Sequence, residues 1–161
     1  MTITTIRKAL VSDRAAILQL VPRLRAFGEV RFHAAADLDA GECRTINRFF
    51  ESPVEGTQLW VAEHPVSGVS GAAYAERVLD YFTREPHAHL GILMVAKQAE
   101  GTGVARALID QVERWSHENG LKRLTLNVFA TNARARGFYE HLGFDLDVVR
   151  YAKIIDDRST D

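Results

Sequence analysis

The stretch EGTGVARALI, Glu100 to Ile109, sets Gly101 and Gly103 one residue apart where a helix begins. Glycine weakens a helix at that point, and the bare backbone there has two uses. The unpaired N–H groups of a first helical turn, at the positive end of the dipole, can hold a phosphate. Alternatively, the glycines supply dihedrals for a tight strand-to-helix turn. Two nucleotide motifs fail. A P-loop needs Gly-x-x-x-x-Gly-Lys-Ser/Thr, which the chain lacks, and the fingerprint Gly-x-Gly-x-x-Gly breaks at Arg106.

A second cluster lies just upstream, in HAHLGILMV. His87 and His89 fall on one face of a strand, and imidazole suits proton transfer near neutral pH. Two ligands without a clear third argue against a metal site. Cys43 is the only cysteine, which excludes an intramolecular disulfide and a Cys-based zinc site.

These residues need elements to hold them. TTIRKAL reads as a first strand. Ser12 or Asp13 caps a helix through Arg25 that Pro22 kinks or breaks. The segment FGEVRFHAAADLDAGE reads as irregular, and CRTINRFFES as a second helix ending before Pro53. TQLWVAEH and VSGAAYAERVL form a hairpin, and the nearly continuous apolar run from His89 to Val95 is a strand buried on both faces. Val104, Leu108, Val112 and Trp115 mark a helix that ENG ends. LKRLTLNVF is a strand, Asn132 caps a helix reaching Gly143, and LDVVRYAKII is a last strand. The order is β-α-α-β-β-β-α-β-α-β, an α/β (α+β) chain with a mixed, mostly antiparallel sheet flanked by helices.

With 161 residues, 47% hydrophobic and 25% charged, the chain suits one domain with a real core. The formal net charge of −1 gives no reason to expect nucleic acid or an anionic membrane as partner. The N-terminus lacks the apolar core of a signal peptide, and no run is long enough to span a membrane. A cytoplasmic location is the default expectation.

LMVAKQAEGTGVARALI resembles the acetyl-CoA motif of the GNAT superfamily of N-acetyltransferases. The pattern Arg/Gln-x-x-Gly-x-Gly/Ala falls on Glu100, Gly103 and Ala105. TNARARGFYEHLGF resembles the second signature, Asn-x-x-Ala-x-x-x-Tyr-x-x-x-Gly-Phe, on Asn132, Ala135, Tyr139, Gly143 and Phe144. The element order agrees along nearly the whole chain. The departure is Glu100, where the family usually has Arg or Gln. A second register, from Gln98 through Gly101 to Gly103, restores the Gln but fits the preceding strand worse.

The resemblance implies a GNAT-like fold over residues 1–161 and acetyl-CoA as cosubstrate. It puts the pyrophosphate on the amides of Gly101, Thr102, Gly103, Val104, Ala105 and Arg106. The pantetheine arm lies on the backbone of Leu93, Met94 and Val95, and Asn132 and Ala135 line the arm. Lys97, Arg106, Arg134 and Arg136 are available for outer phosphates or are ordinary surface charges. Acetyl transfer to an amine needs the nitrogen neutral, and freeing a lysine-like amine at pH 7 costs roughly 4–5 kcal/mol. The resemblance makes Tyr139 the general acid for the leaving sulfur and places His89 first as base, with Glu76, His87 or a water held by Asn127 as alternatives. A strand N–H near Leu93 or Met94 polarises the thioester carbonyl. The acceptor is a small-molecule or protein amine. Glu29, Asp37, Asp39 and Glu42 suit a cation, while Phe27, Phe32, Tyr81 and Phe82 wall the pocket or belong to the core. A homodimer is left open. The competing reading is a catalytically silent acyl-CoA sensor or interaction module of the same fold.

Overall fold

Strand β1 (Thr5–Lys8) opens the computed structural model, which describes residues 4–155. Arg7 forks onto Asp13 at 2.7 and 3.0 Å and reaches Glu63 at 2.7 Å, which ties β1 to the first helix and to its neighbour strand. Helix α1 (Arg14–Leu20) stops early. Pro22 has no N–H to continue it, so the chain tightens into a 3-10 segment, Val21–Arg25.

Helix α2 (Ala35–Glu51) starts eight residues before the predicted Cys43. Its first half is rich in Ala and Asp and carries one large apolar residue, Leu38, so no periodic signal marks it. Alanine propensity and the Arg25–Asp39 pair, with bonds of 2.8 and 2.9 Å, hold it in place. The part of FGEVRFHAAADLDAGE beyond Ala34 is therefore helical.

Strands β2 (Thr57–His64), β3 (Gly68–Leu79) and β4 (Pro86–Val95) form an antiparallel meander. After a short 3-10 turn, Lys97–Ala99, come α3 (Val104–Glu118), β5 (Leu124–Leu126) and α4 (Ala133–His141). The sheet order is β1-β2-β3-β4-β5, with only β4 and β5 parallel.

One face of the sheet meets α3, where Trp60 of β2 packs edge-on against Trp115 at 5.7 Å. The other face meets α2, where Phe49 packs edge-on against Tyr74 at 6.2 Å. Ile17, Ile46, Leu59, Val61, Ile92 and Met94 are fully buried. Each such side chain contributes about 1.5–3 kcal/mol of transfer free energy.

Two predictions need correction. The strand expected over LKRLTLNVF is only three residues long. LDVVRYAKII is not a strand: residues 145–155 have no regular secondary structure. No strand among the described residues pairs with that segment.

Candidate acyl-transfer site

The short β5 has a local cause. Ala75 pairs with Leu90 and Tyr74 with Ile92, so Gly91 is an extra residue in β4, a bulge. A Cβ at Gly91 would sit 3.2 Å from the Tyr74 ring, which suits the glycine. The β4–β5 register runs Ala88–Leu124, His89–Thr125, Leu90–Leu126 and then stops at the bulge. Beyond Gly91 the two strands part and leave a gap.

The backbone facing that gap follows from alternation. Ala96 N–H donates to Ser70 O of β3 at 2.9 Å. Opposite pairs alternate between hydrogen-bonded and open, so Met94 and Ile92 turn their peptide groups to β3. Leu93 and Val95 turn theirs into the gap. Of the three predicted arm-binding residues, Met94 therefore offers neither its backbone nor its buried side chain.

The loop after β4 enters α3 through two left-handed glycines, Gly101 (φ 74°) and Gly103 (φ 86°). A Cβ at either would meet nothing within 4 Å. The glycines thus serve the turn geometry and also leave open space over it. The first helical bond runs from Ala107 N–H to Gly103 O at 3.0 Å. The N–H groups of Val104, Ala105 and Arg106 have no carbonyl partner in the helix. Thr102 is committed to the turn, its hydroxyl donating to Ala99 O at 2.6 Å.

Gly71 on β3 signals its role only in three dimensions. A Cβ there would lie 2.9 Å from Val104 Cγ1, 3.0 Å from Met94 O and 3.1 Å from Leu108 Cδ1. Its bareness lets the start of α3 settle against β3 and the end of β4.

Glu100 does not face solvent alone. Its carboxylate pairs with Arg23 and, at 3.1 Å, with Arg134. Both guanidiniums hold its pKa below the usual carboxylate range, Arg134 most strongly. One carboxylate against two guanidiniums leaves the cluster with a charge of +1, so the odd residue does not make this corner acidic. Arg23 Nε also donates to Val95 O at 3.3 Å, at the mouth of the gap. Arg106 pairs with Asp110 at 3.4 Å on the exposed face of α3.

Helix α4 follows β5. Asn132 Oδ1 accepts from Ala135 N–H at 3.1 Å, the predicted cap, so that oxygen is spent on the helix. Tyr139 lies two turns on, its ring 5.7 Å from Phe144 and 5.5 Å from Phe138. Burial pushes its phenol up to about 12. Its hydroxyl bonds to no group among the described residues and is not sealed from solvent.

His89 sits half-buried at the closed end of the gap, Nδ1 2.9 Å from Thr125 Oγ1 and opposite Glu76 of β3. Burial lowers its pKa from the ordinary 6.5. His87 is buried at the hairpin end, where Arg123 approaches it at 3.4 Å and also pairs with Asp80. Among the described residues no three His, Cys, Asp or Glu side chains gather around a metal-sized space.

On the α2 side, Phe27 stacks on Phe129 at 5.8 Å, while Phe32, Tyr81 and Phe82 are exposed and belong to no core. A small cavity of about 30 Å³ lies between Val21, Leu24, Leu38, Glu42 and Phe129. Arg25 already holds Asp39 there. Glu42 has no hydrogen-bond partner among the described residues, and burial raises its pKa. A cavity of about 430 Å³ lies between the β2–β3 turn, at His64, Ser67 and Ser70, and the start of α3, at Thr102, Gly103, Val104 and Ala107. The turn's polar atoms are committed locally: Ser70 donates to Ala62 O, and His64 accepts from the amides of Val66 and Ser67.

A sheet parted at a bulge thus lies beside a helix N-terminus whose first amides have no partner in the helix. The chain belongs to the Acetyltransferase (GNAT) family, whose profile matches residues 26–144. It is 36% identical over 86 residues to a mycothiol acetyltransferase of Beutenbergia cavernae, covering 53% of this chain and 28% of that protein. It is 39% identical over 61 residues to a 5-NmdU N-acetyltransferase of Pseudomonas phage PaMx11, covering 38% of this chain and 41% of that protein. The chain thus spans less than half the length of these curated relatives. An aminoglycoside N-acetyltransferase in complex with CoA has the same fold, with a TM-score of 0.73 at 19% identity over 95% of this chain and 96% of the other. No helix of the described residues is long and apolar enough to cross a membrane.

Proposed function

We propose that this protein moves the acetyl group of acetyl-CoA directly to a primary amine. The observation that carries the reading is the gap beyond Gly91, with its outward peptide groups at Leu93 and Val95, running to the free amides of Val104–Arg106. These features fit the two ends of the cosubstrate. Leu93 and Val95 take the amide-bearing arm as an added strand, and the α3 N-terminus with its open glycine turn takes the pyrophosphate. Arg23 gives up Val95 O when the arm pairs there.

Leu93 N–H donates to the oxygen of the reacting carbonyl, since Met94 N–H turns to β3. His89 takes the amine's surplus proton. Thr125 Oγ1 donates to Ala88 O at 3.4 Å, so it accepts from Nδ1–H of His89, which leaves Nε2 free as the base. The lowered pKa keeps that nitrogen neutral. The amine nitrogen bonds to the acetyl carbon, the carbon–sulfur bond breaks, and sulfur keeps the electron pair. Tyr139 is the general acid at that sulfur. Its raised pKa keeps it protonated, but transfer from a phenol at about 12 to a thiolate near 8.5 is uphill by roughly 5 kcal/mol. Tyr139 therefore acts mainly through a hydrogen bond that stabilises the emerging thiolate.

Glu42, unpaired beside Phe129, faces the cationic end of the acceptor, a small molecule or a protein amine. A cytoplasmic location, with its supply of acetyl-CoA, suits this reading.

The test couples acetyl-CoA calorimetry to thiol release over a panel of amines. We expect binding, and thiol release with at least one amine. Tyr139→Phe lowers kcat by roughly 10- to 10⁴-fold and leaves acetyl-CoA affinity unchanged. Binding without thiol release for any amine would favour a silent acyl-CoA sensor, and an unchanged rate in the variant would remove Tyr139 from the chemistry.

A further inference from the structure

Glu42 of α2 is a half-buried carboxylate that bonds to no described residue, and burial is the cause of its raised pKa. The cation that shares its cavity is already spent: Arg25 forks onto Asp39 at 2.8 and 2.9 Å. One guanidinium and two carboxylates leave the cavity with a charge of −1. A desolvated carboxylate in this state takes up either a proton or a cation.

The walls fit an alkylammonium. Val21, Leu24, Leu38 and Phe129 line the cavity with apolar surface. The Phe129 ring is flanked by Phe27 at 5.8 Å and His33 at 6.0 Å, and an aromatic face attracts a cation. The volume of about 30 Å³ holds one water-sized group, which suits a primary ammonium and excludes a guanidinium or a trimethylammonium.

The cavity also adjoins the gap. Phe129 follows the end of β5, and the 3-10 segment that supplies Val21 and Leu24 reaches Val95 O, at the end of β4, through Arg23. The nitrogen that attacks the thioester must be neutral, and His89 takes its proton. One nitrogen cannot be neutral at the carbonyl and charged at Glu42 in the same step, so the charge beside Glu42 belongs to a second nitrogen. A cavity that admits a single small group ends the molecule there, which points to a short acceptor and away from a protein side chain.

We propose that the acceptor is a small α,ω-diamine. Its far ammonium seats between Glu42 and Phe129, its apolar spacer runs past Phe129 into the gap, and its near amine is acetylated. The product is the monoacetylated diamine, with the remaining nitrogen still charged at Glu42. This inference rests on the acetyl-transfer reading and narrows its acceptor.

Three acceptor series of matched length test it by thiol release from acetyl-CoA: α,ω-diamines, n-alkylamines, and amino alcohols in which a hydroxyl replaces the second amine. We expect one diamine to exceed its alkylamine and amino-alcohol counterparts roughly 10- to 100-fold in kcat/KM, the worth of a charge-assisted hydrogen bond, with the difference carried by KM. Glu42→Gln keeps the shape and removes the charge. It should bring that ratio to near unity and weaken diamine binding to the CoA-loaded protein by a similar factor in calorimetry, where no acetyl group is present to transfer. Circular dichroism checks that the variant stays folded. Alkylamines that match the diamines overturn the proposal and leave acetyl transfer standing, as does a diamine preference that survives Glu42→Gln or thiol release with protein lysines alone. A protein that binds no acetyl-CoA overturns the acetyl-transfer reading and this inference with it.

Discussion

Gly71→Ala tests how the α3 N-terminus is set against the gap. The added Cβ would stand 2.9 Å from Val104 Cγ1 and 3.0 Å from Met94 O. Carbon–carbon contacts settle at about 3.5–4.0 Å, so the first is short by roughly 0.6–1.1 Å. Leu108 Cδ1, at 3.1 Å, can rotate away. Val104 cannot, because a β-branched side chain in a helix has essentially one rotamer, and Met94 O is backbone. The start of α3 must therefore move by roughly half an ångström to an ångström. Overpacking of this kind costs about 1–3 kcal/mol, which lowers the Tm by roughly 2–10 °C for a chain of this size. The same shift carries the amides of Val104–Arg106 away from the backbone of Leu93 and Val95. An ångström of misplacement can cost a hundredfold in rate, so we expect kcat/KM to fall by roughly 10- to 100-fold. Thermal unfolding and steady-state thiol release measure both effects. Gly137→Ala in α4 is the control: a Cβ there meets nothing within 4 Å and its φ is ordinary, so it should leave the Tm unchanged or raise it. A Gly71→Ala protein with wild-type Tm and wild-type kcat/KM would refute the argument that this contact positions the site.

Two further predictions concern charge. Burial lowers the His89 pKa, so the acidic limb of the kcat/KM profile should lie below pH 6.5; His89→Ala should remove that limb, and a profile unmoved in the variant takes the base role from His89. The same group affects folding: between its folded pKa and 6.5 the unfolded chain binds more protons, so stability rises with pH across that window, and in urea titrations the pH slopes of wild type and His89→Ala should differ only there. Glu100→Gln releases Arg23 and Arg134 and raises the local charge from +1 to +2. CoA should then bind about threefold tighter at low ionic strength and lose that gain in high salt, whereas weaker binding would show that the Glu100 pairs hold the site together.

Much of the site could be read along the chain because its parts are local. The turn at Gly101 and Gly103 is fixed by the lack of a side chain at two left-handed positions. The cap at Asn132 lies within four residues of its partner, and Pro22 ends α1 by what it lacks. The hairpin strands follow from two apolar runs on either side of the PVSG turn. Other features have no local signal. The first half of α2 has no apolar period, and Arg25 meets Asp39 only after the fold closes. Glu100 looks like an anomaly in one dimension, because Arg23 and Arg134, which neutralise it, lie 77 and 34 residues away.

By itself, the sequence determined the elements from β1 to α4, the glycine turn into α3, and the candidate pair of Asn132 and Tyr139 on one helix. Tertiary structure alone decided where β4 and β5 part, because a bulge is a mismatch of one residue between two strands and exists only in their register. That register turned Leu93 and Val95 toward the gap and Met94 away, and it placed bare Gly71 under Val104. The tail from Asp145 to Ile155 has the β-branched and aromatic content of a strand, yet it forms none here, since a strand is made by the neighbour that satisfies its backbone.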